Sequence, residues 1–535
     1  MESYLGQKGY TISKANLTIE QQKQIRNDLM IKPFTLNLSG TNESFPVYRE
    51  STNKMYLPHY YGVEHFGLPK NIKVPEGVNI SLEFHGKLRE TQIQVVNKFV
   101  HYVLEELPYS VGGGLIELPC GQGKTVIALN IISRLNKKTL VIVNKEDLMR
   151  QWIERINQFL PNVRVGKIQG QTIDIDDKDI VIGMLQSLSM KEYPASVFES
   201  FGLTIIDEVH HISSQTFSNA LFKIITKYML GLSATMTRKD GTSYVFKMFL
   251  GDIIYKGVRE DKYNVTVRAI EYHIDDEEFN EIKTDWRGKV MYSSMISKLC
   301  EYNRRSEFIL RIIKDMIVEN EKQQIMVLAH NKNILKYLYD AIKHRNIGTV
   351  GYYIGGMKET DLKVSEGKQI IIATYSMASE GLDIKTLSTL IMATPRTDIE
   401  QSVGRILRTK PQTQTNGKFC QNADTECLLE KHNDPIIVDI IDSHEPFKNQ
   451  WRKRKTFYKK ENYKIIHILS ENYTPDVKLW STVYEPCNNK KTYVKTKPHS
   501  FKSNSSNDKS ITYSDEEEDF TTKDKLFCGK CLLTL

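Results

Sequence analysis

The sequence predicts an α/β fold with two tandem parallel-sheet domains, a small α+β domain before them and a C-terminal tail without a packed core. Short, unbroken apolar runs such as residues 138–143 and 369–374 alternate with segments of helical periodicity. This alternation is typical of parallel strands that helices cover on both faces. The chain of 535 residues is also too long for a single core, so about three domains are expected.

The pattern divides the chain into five segments. They are an N-terminal accessory domain over residues 1–80, a first sheet domain over 81–255, a linker or hinge over 256–299, a second sheet domain over 300–465 and a C-terminal extension over 466–535. The linker is predicted because apolar periodicity weakens and charge increases beyond residue 255. The extension is expected to be disordered from about residue 488, where Lys, Ser and Asn become frequent before an acidic run.

The composition is that of an ordinary globular protein with a mild basic excess. Lys and Arg number 73 against 65 Asp and Glu, a net charge of +8, which weakly favours a polyanionic partner. No apolar run approaches the ~20 residues of a membrane span, and the N-terminus lacks the pattern of a signal segment, so no membrane partner is expected. Seven scattered cysteines favour a reducing compartment and therefore an intracellular location.

The most specific chemistry lies in a glycine-rich turn between a predicted strand and a predicted helix. In such a turn, backbone N–H groups close on a polyphosphate and the helix N-terminus adds favourable partial charge. Lys124 is expected to reach the β/γ-phosphates of a nucleotide, and the Thr125 hydroxyl to hold Mg²⁺. The turn consists of Leu118, Pro119, Cys120, Gly121, Gln122, Gly123, Lys124 and Thr125.

A glutamine upstream of the turn is the candidate for recognition of the base. Gln92 follows Leu88-Arg-Glu-Thr, about thirty residues before Lys124. Its carboxamide can both donate to and accept from the Hoogsteen edge of adenine, which favours ATP as the nucleotide.

An acidic pair follows the apolar run at residues 203–206. Carboxylates at the exit of a buried strand are unfavourable unless they meet a cation. Asp207 is expected to hold Mg²⁺ through its water shell, and Glu208 to position or deprotonate the attacking water. His210 is expected to sense the γ-phosphate region. An incidental strand-capping pair is the alternative, which the position downstream of Lys124 disfavours.

Further candidates follow other predicted strands. Those for contact with a nucleic-acid backbone are Ser233, Thr235, Thr374 and Ser379. Gly381 and Asp383 are assigned to an ATP cleft between the two sheet domains. Gln401, Arg405 and Arg408 close the series, and the two arginines share one helical face. From the second domain they can meet the charge that spreads over the γ-phosphate during hydrolysis.

These motifs, in this order and spacing, resemble those of superfamily 2 helicases, in particular the branch of XPB and UvsW. The strings are Leu-Pro-Cys-Gly-x-Gly-Lys-Thr at 118–125, Asp-Glu-Val-His at 207–210 and Gln-x-x-Gly-Arg-x-x-Arg at 401–408. Leu118 replaces the first glycine of the longer phosphate-loop pattern, as in the shorter form of that superfamily. Residues 45–51, Phe-Pro-Val-Tyr-Arg-Glu-Ser, are similar to helicases of large DNA viruses, including the poxvirus transcript-release type.

The resemblance implies two RecA-like domains of the P-loop NTPase type that use ATP and Mg²⁺ to move along or unwind nucleic acid, usually DNA. Transcription, recombination or repair machinery is the implied partner. The nucleus or cytoplasm, or for a viral protein the virus factory or virion, is the implied location. The motifs contact the backbone, so an RNA helicase or transcript-release factor stays open. The intact Lys124, Asp207 and Glu208 argue against a non-catalytic scaffold, and the flanks offer no nuclease constellation for a restriction motor.

Three flanking features have two interpretations each. Residues that suit either a nucleic-acid surface or the packing of a small domain are Arg49, Lys54, Tyr60 and Tyr61. The stretch 448–460 mixes cations and aromatics, as either a nucleic-acid contact or a half-buried helix would. Cys528 and Cys531 form half of a zinc site, and a tail without metal is favoured because no second Cys-x-x-Cys exists.

Overall fold

The computed structural model describes residues 3–34, 44–119, 121–211, 214–238, 240–257, 264–379, 384, 386–406 and 434–486. Over these ranges the predicted α/β class is confirmed: two sheets dominated by parallel strands follow one another along the chain, after a small mixed domain. None of the helices in these ranges combines the length and apolar character that a bilayer crossing requires.

A small α+β domain opens the described chain. It consists of β1 (Ser3–Gly6), β2 (Gly9–Ser13), α1 (Ile19–Asp28), β3 (Met30–Ile31), β4 (Phe45–Pro46), β5 (Arg49–Glu50), β6 (Lys54–Leu57), α2 (His59–Phe66) and β7 (Asn71–Ile72). The main sheet has the order β5-β6-β2-β1-β7, and β3 pairs with β4. The predicted capping box of α1 is confirmed, since the Thr18 hydroxyl accepts from the N–H of Gln21 at 3.1 Å and the Thr18 N–H donates to the Gln21 side chain at 2.9 Å.

The first lobe is the first parallel sheet with its helices. It consists of α3 (Glu90–His101), β8 (Gly112–Glu117), α4 (Lys124–Leu135), β9 (Thr139–Val143), α5 (Glu146–Phe159), β10 (Val165–Gln169), β11 (Thr172–Ile173), β12 (Ile180–Met184), α6 (Leu185–Met190), α7 (Ser196–Glu199), β13 (Leu203–Ile206), α8 (Ser214–Leu221), β14 (Tyr228–Ser233), α9 (Ser243–Leu250) and β15 (Ile253–Lys256). Its described strands have the order β11-β10-β12-β9-β13-β14-β8-β15, with only β11 antiparallel to its neighbour.

The second lobe is the second parallel sheet with its helices. It consists of β16 (Thr266–Tyr272), α10 (Glu277–Asn280), α11 (Tyr292–Glu301), α12 (Asn303–Glu319), β17 (Gln324–Ala329), α13 (Lys332–His344), β18 (Val350–Tyr353), α14 (Glu359–Glu366), β19 (Ile370–Thr374), α15 (Tyr375–Ser379), β20 (Leu387–Met392), α16 (Glu400–Ile406), β21 (Ile436–Asp442), α17 (Glu445–Lys460), β22 (Lys464–Leu469) and β23 (Ser481–Tyr484). Its described strands have the order β18-β19-β17-β20-β21-β16-β22-β23, with only β23 antiparallel to its neighbour.

Each sheet lies between two apolar layers, which explains the unbroken apolar runs. In β9, Leu140 and Ile142 belong to one buried cluster, whereas Val141 and Val143 belong to the cluster on the opposite face. Because successive side chains of a strand point to opposite faces, a strand covered on both sides needs apolar residues at every position.

The second sheet takes in residues that the sequence assigned to a linker (256–299) and to a C-terminal extension (466–535). Strand β16 lies between β21 and β22, and β23 ends at residue 484. Charged residues inside β16 explain why the sequence pattern there indicated a linker and not a strand. Arg268 is 2.6 Å from Glu319, and Glu271 is 3.0 Å from Lys448, so each charge in the strand has a partner from a distant helix.

Candidate active site

The glycine-rich turn lies at the carboxyl end of β8, directly before α4. Gly121 and Gly123 have φ angles of 84° and 78°, in the left-handed region that glycine adopts without strain. A Cβ on Gly123 would lie 2.5 Å from Nε2 of Gln92, so this position also lacks room for a side chain. Lys124 and Thr125 are the first two residues of α4. Both therefore lie at a helix N-terminus, where the first backbone N–H groups point along the helix axis and favour an anion.

The flanks of the turn are anchored to the sheet. Leu118 is buried, and its N–H donates to the carbonyl oxygen of Ser233 at 2.9 Å. The N–H of Gln122 donates to the carbonyl oxygen of Pro119 at 3.4 Å, which closes the turn. Cys120 lies outside the described residues.

Lys124 and Glu208 meet across the site. Nζ of Lys124 is 3.1 Å from Oε1 of Glu208, and the exposed fractions of the two side chains are 12% and 18%. Oε2 of Glu208 is 3.4 Å from Nδ1 of His210, and the same nitrogen forms a hydrogen bond with the hydroxyl of Ser233. The structure thus joins three predicted ATP-site residues and one predicted nucleic-acid contact in a continuous polar network, from the phosphate loop to the end of β14.

The backbone of Glu208 is strained. Its φ angle is 50°, in the left-handed region that residues with a Cβ seldom adopt. It connects β13 to the 3₁₀ turn Val209–His211, and its N–H donates to Oδ1 of Asp207 at 3.0 Å. This bend leaves Asp207 at the buried end of the strand while Glu208 reaches Lys124.

Asp207 has a buried partner that the sequence did not reveal. Its Oδ2 accepts a hydrogen bond from Nε1 of Trp152, on α5, at 2.8 Å. Burial and the negative charge of Glu208 raise the pKa of Asp207 to about 6, although Lys124 and Trp152 act in the opposite direction. No spacing rule pairs a helical tryptophan with a carboxylate 55 positions away, so the sequence carried no usable sign of this contact.

Gln92 is buried against the phosphate loop. Its Oε1 accepts from the N–H of Arg89 at 3.0 Å, and its Nε2 donates to the carbonyl oxygen of Gln122 at 3.0 Å. The carboxamide therefore holds the loop to the start of α3. Recognition of adenine stays a prediction, and it requires these hydrogen bonds to be shared or exchanged.

An arginine and an aspartate support the segment after β14. Nη1 of Arg238 donates to the carbonyl oxygen of His210 at 2.8 Å, and Nη2 is 2.6 Å from Oδ2 of Asp240. Burial alone would raise the pKa of Asp240, but hydrogen bonds from Arg238 and Thr242 outweigh it and lower that pKa to about 2. The string Arg-x-Asp at 238–240, which begins three residues after Thr235, is the sequence feature that could have identified this support.

The candidates of the second lobe lie only partly within the described residues. Thr374 ends β19, and its hydroxyl is 3.2 Å from that of Ser376. Three candidates have described backbone but no described side chain: Ser379 in α15, and Gln401 and Arg405 in α16. Those wholly outside the described residues are Gly381, Asp383 and Arg408. The meeting of the two arginines with the phosphate loop therefore stays a prediction.

Two of the N-terminal aromatics pack inside the protein. The Tyr60 hydroxyl accepts from the N–H of Gly113 and donates to its carbonyl oxygen, both at 2.8 Å, which fixes α2 to the first lobe. Tyr61 is buried and donates to Asp28 at 3.1 Å. For these two tyrosines the packing interpretation is correct.

Comparisons with known proteins extend these observations. A family model described as the res subunit of a type III restriction enzyme matches residues 85–238. A protein of Acanthamoeba polyphaga mimivirus, provisionally named an ATP-dependent RNA helicase, is 35% identical over 487 residues, which is 88% of each chain. A protein of African swine fever virus with the same provisional name is 28% identical over 428 residues, covering 74% of this chain and 80% of the relative. The crystal structure of T4 UvsW aligns with 18% identity and a TM-score of 0.30, over 85% of this chain and 96% of that one.

The similarity extends well beyond the segment that the family model matches. The alignment with the mimivirus protein has 35% identity and covers 88% of both chains. It therefore includes the phosphate loop together with residues of the N-terminal domain or of the second lobe. The resemblance found in the sequence is confirmed, and with it the use of ATP and action on nucleic acid. This chain belongs to the superfamily 2 helicases, together with the ATP-dependent helicases of large DNA viruses.

Proposed function

We propose that this helicase couples ATP hydrolysis to movement along DNA, in transcription, recombination or repair. The observation that carries the ATPase assignment is the 3.1 Å contact between Nζ of Lys124 and Oε1 of Glu208 at the N-terminus of α4. It combines a cation for the phosphates with a carboxylate for the attacking water. The choice of DNA is supported by the match to a restriction-enzyme family, because restriction enzymes act on DNA.

The network suggests how nucleotide binding prepares the site. Lys124 exchanges the Glu208 carboxylate for phosphate oxygens when a triphosphate binds. The carboxylate is then available to orient or deprotonate water. His210 contacts both Glu208 and the Ser233 hydroxyl. The same exchange therefore alters the contacts of Ser233 at the end of β14, a candidate contact with the nucleic acid.

The residues around the phosphate loop fit Mg²⁺. The Asp207 carboxylate and the Thr125 hydroxyl are oxygen donors, and Mg²⁺ is usually held by one or two carboxylates together with phosphate oxygens and water. Asp207 and Thr125 would hold the ion, which would neutralise charge on the β- and γ-phosphates. Within the described ranges, no group of three or more His, Cys, Asp or Glu is arranged to hold a metal on its own.

An RNA helicase is the second candidate. It is favoured by the provisional names of the mimivirus and African swine fever virus relatives, both of which describe RNA helicases. The hydroxyls of Ser233, Thr235 and Thr374 suit a sugar-phosphate backbone, which DNA and RNA share. Contacts with the 2′-OH are what would separate the two polymers.

Steady-state ATPase measurements test the proposal. Turnover is compared without polymer and with single-stranded DNA, duplex DNA and RNA, all at one salt concentration, because phosphate contacts make binding depend on salt. We expect DNA to stimulate turnover. Stimulation by RNA alone would replace the DNA assignment with the RNA one, and basal turnover that no polymer stimulates would contradict coupling to nucleic acid.

A further inference from the structure

The sheet of the N-terminal domain has an outer face, opposite the side on which α1 and α2 pack. Leu5, Tyr10 and Leu57 point from β1, β2 and β6 into the buried side of the domain. Because successive residues of a strand face opposite sides, their neighbours point to the outer face. These neighbours form one row across four strands, in register: Tyr4 on β1, Thr11 on β2, Tyr56 on β6 and Arg49 on β5.

Two tyrosine rings cover the middle of this outer face. The Tyr4 ring leans over its own strand, since a Cβ on Gly6 would lie 3.3 Å from Cε2 of Tyr4. Thr11 lies between the two tyrosines in the row and is buried, as expected of a small side chain beside two rings. Tyr4 and Tyr56 are both half-buried. With strands spaced ~4.8 Å apart, the two rings rise from positions about 10 Å apart.

Three exposed lysines surround the rings. Nζ of Lys73 and Nζ of Lys54 lie 4.5 Å and 5.3 Å from the centre of the Tyr4 ring. Nζ of Lys8 lies 5.4 Å from the centre of the Tyr56 ring. The outer face therefore combines aromatic surface with positive charge.

Two carboxylates near this face, Glu50 and Glu192, form ion pairs with cations outside it. Glu50 belongs to the next row, on the buried side of the sheet, and pairs with Lys14 at 2.9 Å and with Arg26 at 3.0 Å. Glu192 of the first lobe pairs with Lys223 at 3.0 Å. Lys223 lowers the pKa of Glu192 most, and Arg49 and Lys8 lower it further, so Lys54 and Lys73 carry the positive charge most available to a polyanion.

We propose that the outer face binds single-stranded nucleic acid, with bases stacked on Tyr4 and Tyr56 and phosphates held by Lys8, Lys54 and Lys73. Aromatic stacking and cation–phosphate contacts are the two components of single-strand binding without sequence preference. The lysines that lie over the rings turn to the phosphates when bases take their place, so the ring contacts are exchanged and no buried contact is broken.

The row ends against the first lobe. Nη2 of Arg49 donates to Oδ1 of Asn219 at 3.4 Å, and its guanidinium lies 5.9 Å from the centre of the Phe222 ring. A nucleic-acid strand that is bound to the outer face would therefore extend from it next to the first lobe. The domain would add a second point of attachment, distinct from the candidate contacts at Ser233, Thr235 and Thr374.

Equilibrium binding of a labelled oligothymidylate to the full chain, without nucleotide, tests the role of the rings. The double variant Tyr4→Leu/Tyr56→Leu keeps an apolar cover over the sheet but removes both aromatic faces, and we expect at least ~5-fold weaker binding. The matched variant Tyr4→Phe/Tyr56→Phe keeps the rings and is expected to bind as the wild type does. Wild-type affinity in the leucine variant would overturn the proposal.

Two further measurements separate the outer face from general electrostatics. Lys54→Glu is expected to weaken binding, whereas Lys23→Glu, an equal charge change on the exposed side of α1, is not; equal losses would overturn the proposal. Photo-crosslinking with a 5-iodouracil oligonucleotide should label Tyr4 or Tyr56, and labelling of the lobes alone would contradict it. ATPase turnover without polymer reports correct folding of each variant. Binding is scored without nucleotide, so a failure of the motor assignment would not change these outcomes.

Discussion

The two lobes share a sheet architecture but use the charged groups near the carboxyl ends of their strands differently. In the first lobe, Lys124 and Glu208 are partly exposed, and the backbone of Glu208 is strained. In the second lobe, Arg305 and Asp442 are fully buried and are joined by two hydrogen bonds of 2.5 Å and 2.8 Å. Under the proposed function, the Lys124–Glu208 pair exchanges with a ligand, whereas the Arg305–Asp442 pair persists as a structural contact.

Two buried arginines of the second lobe, Arg305 and Arg454, are held by several hydrogen bonds each. Arg305 donates to the carbonyl oxygen of Ala393 at 2.8 Å. Arg454 binds Asp439 through two hydrogen bonds, of 2.8 Å and 2.7 Å, and Tyr458 donates to the same carboxylate at 2.9 Å. Since the arginines come from α12 and α17 and both carboxylates from β21, these pairs fasten helices to the sheet. Partial exposure and backbone strain, more than charge itself, distinguish Lys124 and Glu208, the candidate functional pair, from these buried pairs.

The largest expected effect is the loss of ATPase turnover when the Lys124–Glu208 pair is broken. Lys124→Ala should reduce ATPase turnover by at least about 10²-fold, because it removes a cation that meets the developing phosphate charge. The melting temperature should change much less than in Arg305→Ala, because both side chains of this pair keep some contact with solvent. Turnover and thermal unfolding are measured together, with Lys167→Ala on the exposed side of β10 as control. Retained turnover would refute the phosphate-loop assignment, and a large loss of stability would make this pair structural.

For the buried Arg305–Asp442 pair we expect the opposite result, a large loss of stability with little change in turnover. Arg305→Ala leaves the Asp442 carboxylate buried without its cation, which should cost about 3–5 kcal/mol of unfolding free energy. Turnover per folded molecule should be nearly unchanged. Denaturant unfolding, followed by fluorescence, measures the loss. The double variant Arg305→Met/Asp442→Leu should recover much of the stability, and a failure to recover would show that the pair does more than satisfy charge.

The residues predictable from the sequence are those fixed by local spacing. The glycines of the phosphate loop, the acidic pair and the capping box of Thr18 each depend on neighbours within a few positions. The structure gives the glycines positive φ angles, brings Glu208 to Lys124 and forms the capping box, whereas the roles of the site residues stay predictions. Contacts between distant segments were not predictable. Trp152 meets Asp207 from 55 residues away, and Arg305 meets Asp442 from 137 residues away. Tertiary packing alone brings these partners together, and an isolated tryptophan or arginine has no pattern that marks it.

A moderate loss of activity is expected when Asp207 loses the hydrogen bond from the buried indole of Trp152. Trp152→Phe keeps an aromatic ring but removes the Nε1–H that donates to Asp207 at 2.8 Å. A hydrogen bond to a charged group contributes ~1.5–3 kcal/mol, so kcat/KM for ATP should fall by roughly 10-fold or more. Trp451→Phe, a half-buried tryptophan of the second lobe, is the matched control. Equal losses in both variants would mean that the effect is general and not specific to Asp207.

The smallest expected effect is on stability, at the exposed Arg345–Glu307 pair. It tests whether burial sets how strongly an ion pair contributes to the free energy of unfolding. Arg345 binds Glu307 through two hydrogen bonds of 2.7 Å, a geometry similar to that of Arg305 and Asp442, but the two side chains are 45% and 42% exposed. Arg345→Ala should therefore cost at most about 1 kcal/mol at neutral pH. Hydrogen bonds from Arg345 and Tyr337 lower the pKa of Glu307 from 4.5 to about 2. The stabilisation is thus complete above pH 4.5 and is lost as the pH falls towards 2, so the wild type and the variant should converge over that range. If Arg345→Ala costs as much as Arg305→Ala in the same denaturant titration, burial does not set the strength of these pairs, and the contrast between the lobes needs another cause.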